Sequence, residues 1–297
     1  MKLTLRQRRT LTAYGLLLVP LAFFLLIRLL PTLSALQVAF YQWDMLSDDR
    51  PFVGFGNFQR LASDGVFHAA LANTLKYVLL GVPTGLILAL VTALALLRIH
   101  RLAGFFRTIY FIPFVTSLVA VSWVWRWLYQ PQRGTINELL GLVGIPSQPF
   151  LQSTSQALPS IVVVNVWHDL GFQVLIFLAG LNAIPHLYYE AARLDGAGRW
   201  AVFRHITLPL LNPTIVFLAV TSAISSLQVF SQVQNMSAQA TGGPLNSTLS
   251  IVLYAYQKAF GGAYQMGYAS AMTVVLFVLI LVVTVVQLRL LTRRYEY

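Results

Sequence analysis

The chain has 297 residues, 57% of them hydrophobic and only 10% charged, with no cysteine and a formal net charge of +11. A soluble domain carries about 25% charged residues and could not bury so much apolar surface, so the composition points to a bilayer as solvent. Lacking cysteine, the chain can form neither disulfides nor thiolate metal sites, and its basic excess, scattered among apolar runs, reads as a topology signal rather than a nucleic-acid surface.

The start, "MKLTLRQRRTLTAYGLLLVPLAFFLLIRLLPTLSAL", pairs a basic head with an apolar body. Its charge-free stretch, Thr10–Ile27, is longer than the roughly 7–15 residues of a signal-peptide core. A retained first span is expected, over Leu11–Val38, with Arg28 reaching toward the far interface; a cleaved signal is the rival reading. Five further apolar stretches are long enough to cross about 30 Å of hydrocarbon: Asn73–Leu97, Ile109–Leu128, Leu158–Leu181, Leu208–Phe230 and Tyr268–Leu291. Pro31, Pro83, Pro113 and Pro213 fall in or near these spans, which membrane helices tolerate. Between spans, "FVGFGNFQRLASDGVF" suggests a short surface helix. The segments Tyr41–Leu71 and Tyr129–Ala157 are too short for separate catalytic domains.

The basic residues divide by side. Lys2, Arg6, Arg8 and Arg9, then Arg98, Arg101 and Arg107, then Arg193, Arg199 and Arg204, then Arg289, Arg293 and Arg294 all fall on one side. The other holds Arg50, Arg60, Arg133 and Lys258, with Arg28, Lys76 and Arg126 near span ends, and also Asp44, Asp48, Asp49, Asp64 and Glu138. The bias predicts that both termini are cytoplasmic. Trp123, Trp125, Trp127 and Tyr129 gather at the far end of the third span, where an aromatic belt belongs. The expected organisation is a cytoplasmic segment at 1–10, one membrane domain at 11–292, and a cytoplasmic tail at 293–297.

The connector between the fourth and fifth spans, "YYEAARLDGAGRWAVFRHITLP", is unusually polar for this chain. Threading five charges through hydrocarbon at about 3 kcal/mol each would cost roughly 15 kcal/mol, so it must lie outside the membrane core. Pro185 suits the first turn of a short helix and Gly196 its end, and Asp195 or Gly198 is placed to start a second helix. The spacing therefore predicts a helix–glycine–helix elbow within residues 183–207. Glu190 and Arg193 are spaced to form a solvated i,i+3 pair, the plain alternative to a functional role.

Glu190-Ala191-Ala192, Gly196, Ile206 and Leu208-Pro209 together resemble the loop signature of binding-protein-dependent ABC importer permeases. "FVGFGNFQRL", "RTIYFIPFVTSLVAVSWVWRWLY" and "TGGPLNSTLSIVLYAYQKAF" are similar to the carbohydrate branch, which includes maltose, other sugar and glycerol phosphate permeases. The resemblance implies an all-α integral membrane protein with six transmembrane helices and a cytoplasmic coupling helix, the type I ABC importer fold. It implies that Glu190, Ala191, Ala192, Asp195, Gly196, Ile206, Leu208 and Pro209 couple the chain to a separate ATPase. It also implies four kinds of partner: a second, homologous permease in a heterodimer, two ABC ATPase subunits, an extracytoplasmic solute-binding protein and the lipid bilayer.

The chemistry of the sequence agrees. No G-x-x-x-x-G-K-[ST] loop occurs, and the lysines, Lys2, Lys76 and Lys258, sit outside glycine-rich loops. No catalytic role, metal site or bound cofactor is expected in this chain, with ATP and Mg held by the partner subunits. The histidines His68, His100, His168, His186 and His205 are too dispersed for a metal cluster.

Two features point to a solute path. Thr221, Ser225, Gln228 and Gln232 recur at helical spacing in the fifth span, where helix packing by Ser and Thr is the competing reading. In "NVWHDLGF", Asp169 falls mid-span, where a lone carboxylate must find water, solute or a partner such as Arg126 or His168. The resemblance places Asp169 and Phe172 at solute-contacting positions. The segment between Gln228 and Gly242-Gly243-Pro244 is longer than the family spacing. A neutral stripe favours a sugar or polyol over glycerol phosphate. A membrane-embedded enzyme built on His168 and Asp169 is the alternative of a different class, without a second acid–base group to support it.

Overall fold

The computed structural model describes residues 4–47, 49–99, 103–238 and 241–292. Lys2, Asp48, His100, Arg101, Arg293 and Arg294, and with them the proposed tail, lie outside the described residues, as do residues 1–3 of the N-terminal segment. Within the described residues there is no β-strand, only two isolated bridges.

In chain order the helices are α1 (Leu5–Val38), α2 (Gly56–Ser63), α3 (Gly65–Leu96), α4 (Ala103–Val115), α5 (Leu118–Leu128), α6 (Thr135–Leu142) and α7 (Ala157–Ala183). They continue as α8 (His186–Leu194), α9 (Arg199–Leu210), α10 (Asn212–Leu227), α11 (Ser231–Met236), α12 (Ile251–Phe260) and α13 (Met266–Leu291). Four of these are long and apolar enough to cross a membrane alone, and six spans result if each bent pair counts as one.

The third and fifth spans are not the straight helices expected. At Thr116–Ser117 the chain turns by 96° between α4 and α5. Pro113 removes an amide from the last turn of α4, Thr116 donates its hydroxyl to the Ile112 carbonyl at 2.8 Å, and Ser117 adopts extended backbone before α5 restarts. A second bend, of 64°, separates α9 from α10 at Leu211, between Pro209 and Pro213. Prolines also shape the wider π-turns. Leu25–Leu29 precedes Pro31, and Phe203–Thr207 precedes Pro209. A proline offers no amide to the carbonyl four residues back, and the wider turn takes up the mismatch.

The described residues form two compact units. One comprises Met1–Ser63 and Ala255–Val275. In it, α1 presents apolar side chains with none of its span buried, as a helix surrounded by lipid does. Beyond α1, Asn57 donates to the carbonyls of Ala39 (2.9 Å) and Tyr41 (3.0 Å), and Phe40 packs edge-on against Phe55. The Arg60 guanidinium lies 4.1 Å over the Tyr268 ring, and a side chain at Gly267 would collide with the Tyr41 carbonyl.

The other unit comprises Asp64–Tyr254 and Leu276–Tyr297. Asp64 caps α3 by accepting from the amides of Val66 and Phe67, and Tyr254 donates to the same carboxylate at 2.7 Å. Its core is a seam of α3, α7 and α10 built on Ala89, Ala93, Phe177, Leu178, Leu211 and Leu218. Small residues let the helices meet. A Cβ at Gly171 would collide with the Tyr110 carbonyl of α4, and one at Gly180 with the Thr214 hydroxyl of α10. Polar ties fix the far end of α3, where Asn73 donates to the carbonyls of Asn246 (2.8 Å) and Leu249 (3.2 Å), and Tyr77 to that of Thr248 (3.0 Å).

Candidate functional site

The polar connector folds into the expected elbow. Pro185 sits just before α8 with extended backbone, one position earlier than its predicted place in the first turn. The helix ends in a Schellman motif. Gly196 has φ +71°, its amide donates to the Arg193 carbonyl (3.1 Å), and the Ala197 amide donates to that of Ala192 (2.9 Å). The left-handed conformation explains why glycine stands at this position. Gly198 then caps α9, which leads through the π-turn carrying Ile206 to Leu208 and Pro209 and on to the bend at Leu211.

Burial divides α8 into two faces. Ala192 is buried and Tyr189 half-buried, its hydroxyl 3.4 Å from that of Thr207. On the opposite face Leu187 is 71% exposed and Leu194 90% exposed, with Glu190 and Ala191 exposed between them. Residues at i, i+3, i+4 and i+7 share one side of a helix, so these four make one outward stripe. Trp200, 69% exposed, stands just beyond the joint.

The Glu190–Arg193 pair does not form. Among the described residues Glu190, Asp195, Arg193 and Arg199 form no ion pair. An unpaired charge between large exposed apolar side chains has the chemistry of a contact surface. The apolar part of this surface was missed by reasoning on charges alone. Leu187 and Leu194, one heptad apart, were its legible signal.

The second candidate region lies within the spans. His168 Nδ1 is 2.7 Å from an Asp169 carboxylate oxygen, with the aspartate side chain 34% exposed and the histidine side chain 10%. Of the two partners considered for Asp169, the structure shows His168. Arg126 instead donates to the Asn235 carbonyl (3.3 Å) and lies over the Trp123 ring. His168 Nε2 is buried without a hydrogen-bond partner. Phe172 stacks on Phe114, ring centres 4.9 Å apart and 15° from parallel, so one of its faces is already covered.

The polar stripe of the fifth span is corrected. α10 ends at Leu227, Gln228 has φ −103° and ψ 17°, and Gln232 belongs to the separate helix α11. Thr221 and Ser225 still share a face, but Gln228 and Gln232 do not continue it. A cause lies nearby: Ser250 donates to the Val229 carbonyl at 2.7 Å, engaging the backbone just past the helix end from outside the helix. Thr221 donates to its own backbone at Phe217 (2.8 Å), as the packing reading expects. Ser225 and Gln228 are exposed, whereas Gln232 is buried. A contact not foreseen joins the spans: Gln173 of α7 donates to the Ser222 hydroxyl of α10 at 3.2 Å.

The profile of a family described as "Binding-protein-dependent transport system inner membrane component" matches residues 77–297. The chain is 36% identical to the lactose transport system permease protein LacF of Rhizobium radiobacter, over 80% of each chain. It is 35% identical to the diacetylchitobiose uptake system permease protein NgcF of Streptomyces coelicolor, covering 89% of this chain and 77% of that one. Among solved structures it resembles a chain of a bacterial alginate ABC transporter in complex with alginate pentasaccharide-bound periplasmic protein. That match has a TM-score of 0.82 and 27% identity, over 95% of this chain and 94% of that one.

Proposed function

We propose a transport role from one premise: the chain belongs to the family of binding-protein-dependent transport system inner membrane components. It is the permease subunit of an ABC importer for a sugar or related polyol, a multi-pass protein of the inner membrane. Relatives named for lactose and diacetylchitobiose, and a structural neighbour from an alginate importer, support the carbohydrate class. ATP is hydrolysed by two partner ATPase subunits, which also hold the Mg. A second, unlike permease completes the pathway, and an extracytoplasmic binding protein delivers the solute. Both termini and the elbow face the cytoplasm.

The observation that carries this reading is the outward stripe of α8, an unpaired Glu190 between exposed Leu187 and Leu194. A motor subunit docking there covers the apolar pair and supplies the missing positive charge for Glu190. The motion it delivers passes across Gly196 into α9 and, through Tyr189 and Thr207, into the base of the fifth span. Ala192 holds the inner side of α8 against the spans, and Asp195, Ile206, Leu208 and Pro209 fix the geometry on either side of the joint. Alternating access follows as α7 and α10 shift with the elbow.

On the solute side, Asp169, Phe172, Thr221, Ser225, Gln228 and Gln232 are the residues we assign to the pathway. The half-open Asp169 carboxylate offers an acceptor to sugar hydroxyls, and Ser225 and Gln228 are exposed where a second permease would face them. The test is reconstitution of the tagged chain with the subunits encoded beside it. ATPase subunits should copurify, and hydrolysis should rise with a sugar-loaded binding protein. An assembly that transports a sugar with no ATPase present would refute the assignment.

A further inference from the structure

Behind α8, on the side away from the outward stripe, lies a cleft of about 900 Å³. His186, Tyr189 and Arg193 line it from α8, at the i, i+3, i+7 spacing that defines the inner face of that helix. Arg98, just past the end of α3, and Arg199, at the start of α9, line it from two other directions. None of its lining residues is acidic. Three arginines thus line one concavity, none of them in an ion pair among the described residues. Like charges gathered in this way repel one another and create a local positive potential that an anion relieves. The planar, multiply donating guanidinium fits phosphate oxygens especially well.

The rest of the lining says where the anion comes from. Leu94, Leu97, Leu181 and Phe203 form an apolar wall, and they belong to the ends of membrane-spanning segments. A charged rim over a greasy wall at a span end matches a phospholipid, with its phosphate among the arginines and its chains along the leucines. We infer that this cleft is a phosphate-anion site, filled by the headgroup of an anionic phospholipid or by free phosphate. Arg193 precedes the Gly196 joint and Arg199 follows it, so one bound phosphate bridges the two sides of the elbow. Anion binding here needs only the cleft and is separate from the coupling role.

The test measures binding and not transport. The full chain, assembled with its neighbouring subunits in mild detergent, is titrated with phosphatidylglycerol or phosphatidylcholine and retained lipid is counted by native mass spectrometry. Phosphatidylglycerol should bind in preference to phosphatidylcholine. Arg98→Gln with Arg193→Gln should weaken that binding about 30-fold, from two surface charges lost. Arg98→Lys with Arg193→Lys should restore most of it, and Arg204→Gln, an exposed arginine outside the cleft, should leave it unchanged. If inorganic phosphate binds with the same arginine dependence and displaces the lipid, free phosphate is the source and the site stands. Equal lipid binding by wild type and the double Gln variant, or equal loss in Arg204→Gln, overturns it. So does a double Gln variant that keeps its lipid but releases an ATPase subunit, which would make the cleft a protein contact.

Discussion

Glu190 and Asp169 are both carboxylates in a chain with only nine acidic residues, and their surroundings give them opposite fates. Glu190 is exposed and unpaired, while Asp169 is partly sheltered and bound to His168. Glu190→Ala removes no hydrogen bond or ion pair among the described residues, so its effect should appear in the assembly. Solute-stimulated ATP hydrolysis should fall at least about tenfold, the loss typical of a buried interfacial charge contact, with the amount of protein in the membrane unchanged. Asp169→Asn keeps an acceptor but loses the charge that holds His168. Uptake should show a several-fold higher KM, about 1 kcal/mol of lost hydrogen bonding, with normal assembly. Wild-type kinetics would return Asp169 to a structural role. Glu190 was legible from its motif. The choice between Arg126 and His168 for Asp169 was not, because sequence carries no distance between a side chain at 126 and one at 169.

At the scale of elements, helix existence and the elbow could be read directly, because apolar length and charge placement are properties of sequence alone. Where spans break could not. Pro113 is compatible with a straight, kinked or interrupted membrane helix, and the outcome depends on how neighbours satisfy the freed backbone. Likewise the end of α10 at Leu227 depends partly on Ser250, more than twenty residues further on. Helix spacing is similarly set by contacts that sequence does not reveal. Gly171 permits α7 to touch the backbone of α4 at Tyr110 and Phe111. Gly171→Val should therefore cost about 3 kcal/mol by overpacking, seen as a lower melting temperature in detergent and less protein in the membrane. A variant as stable as wild type would show that this contact is not close in the membrane.

For the molecule as a whole, the bilayer explains the composition and the elbow explains the exception to it. The chain exposes leucine and valine along α1, and the exposed Glu190, Arg193, Asp195 and Arg199 gather in the elbow. The central claim is that force enters through the outward stripe of α8. The chain has no cysteine, so Leu194→Cys introduces a unique thiol on that stripe. In the assembled, transport-competent complex, a short thiol-reactive photo-crosslinker at residue 194 should join this chain to an ATPase subunit, and one at Val143→Cys, which precedes the α7 span that leads to the elbow, should not. An active complex in which residue 194 never reaches the ATPase, while the motor crosslinks elsewhere on the chain, would contradict the account.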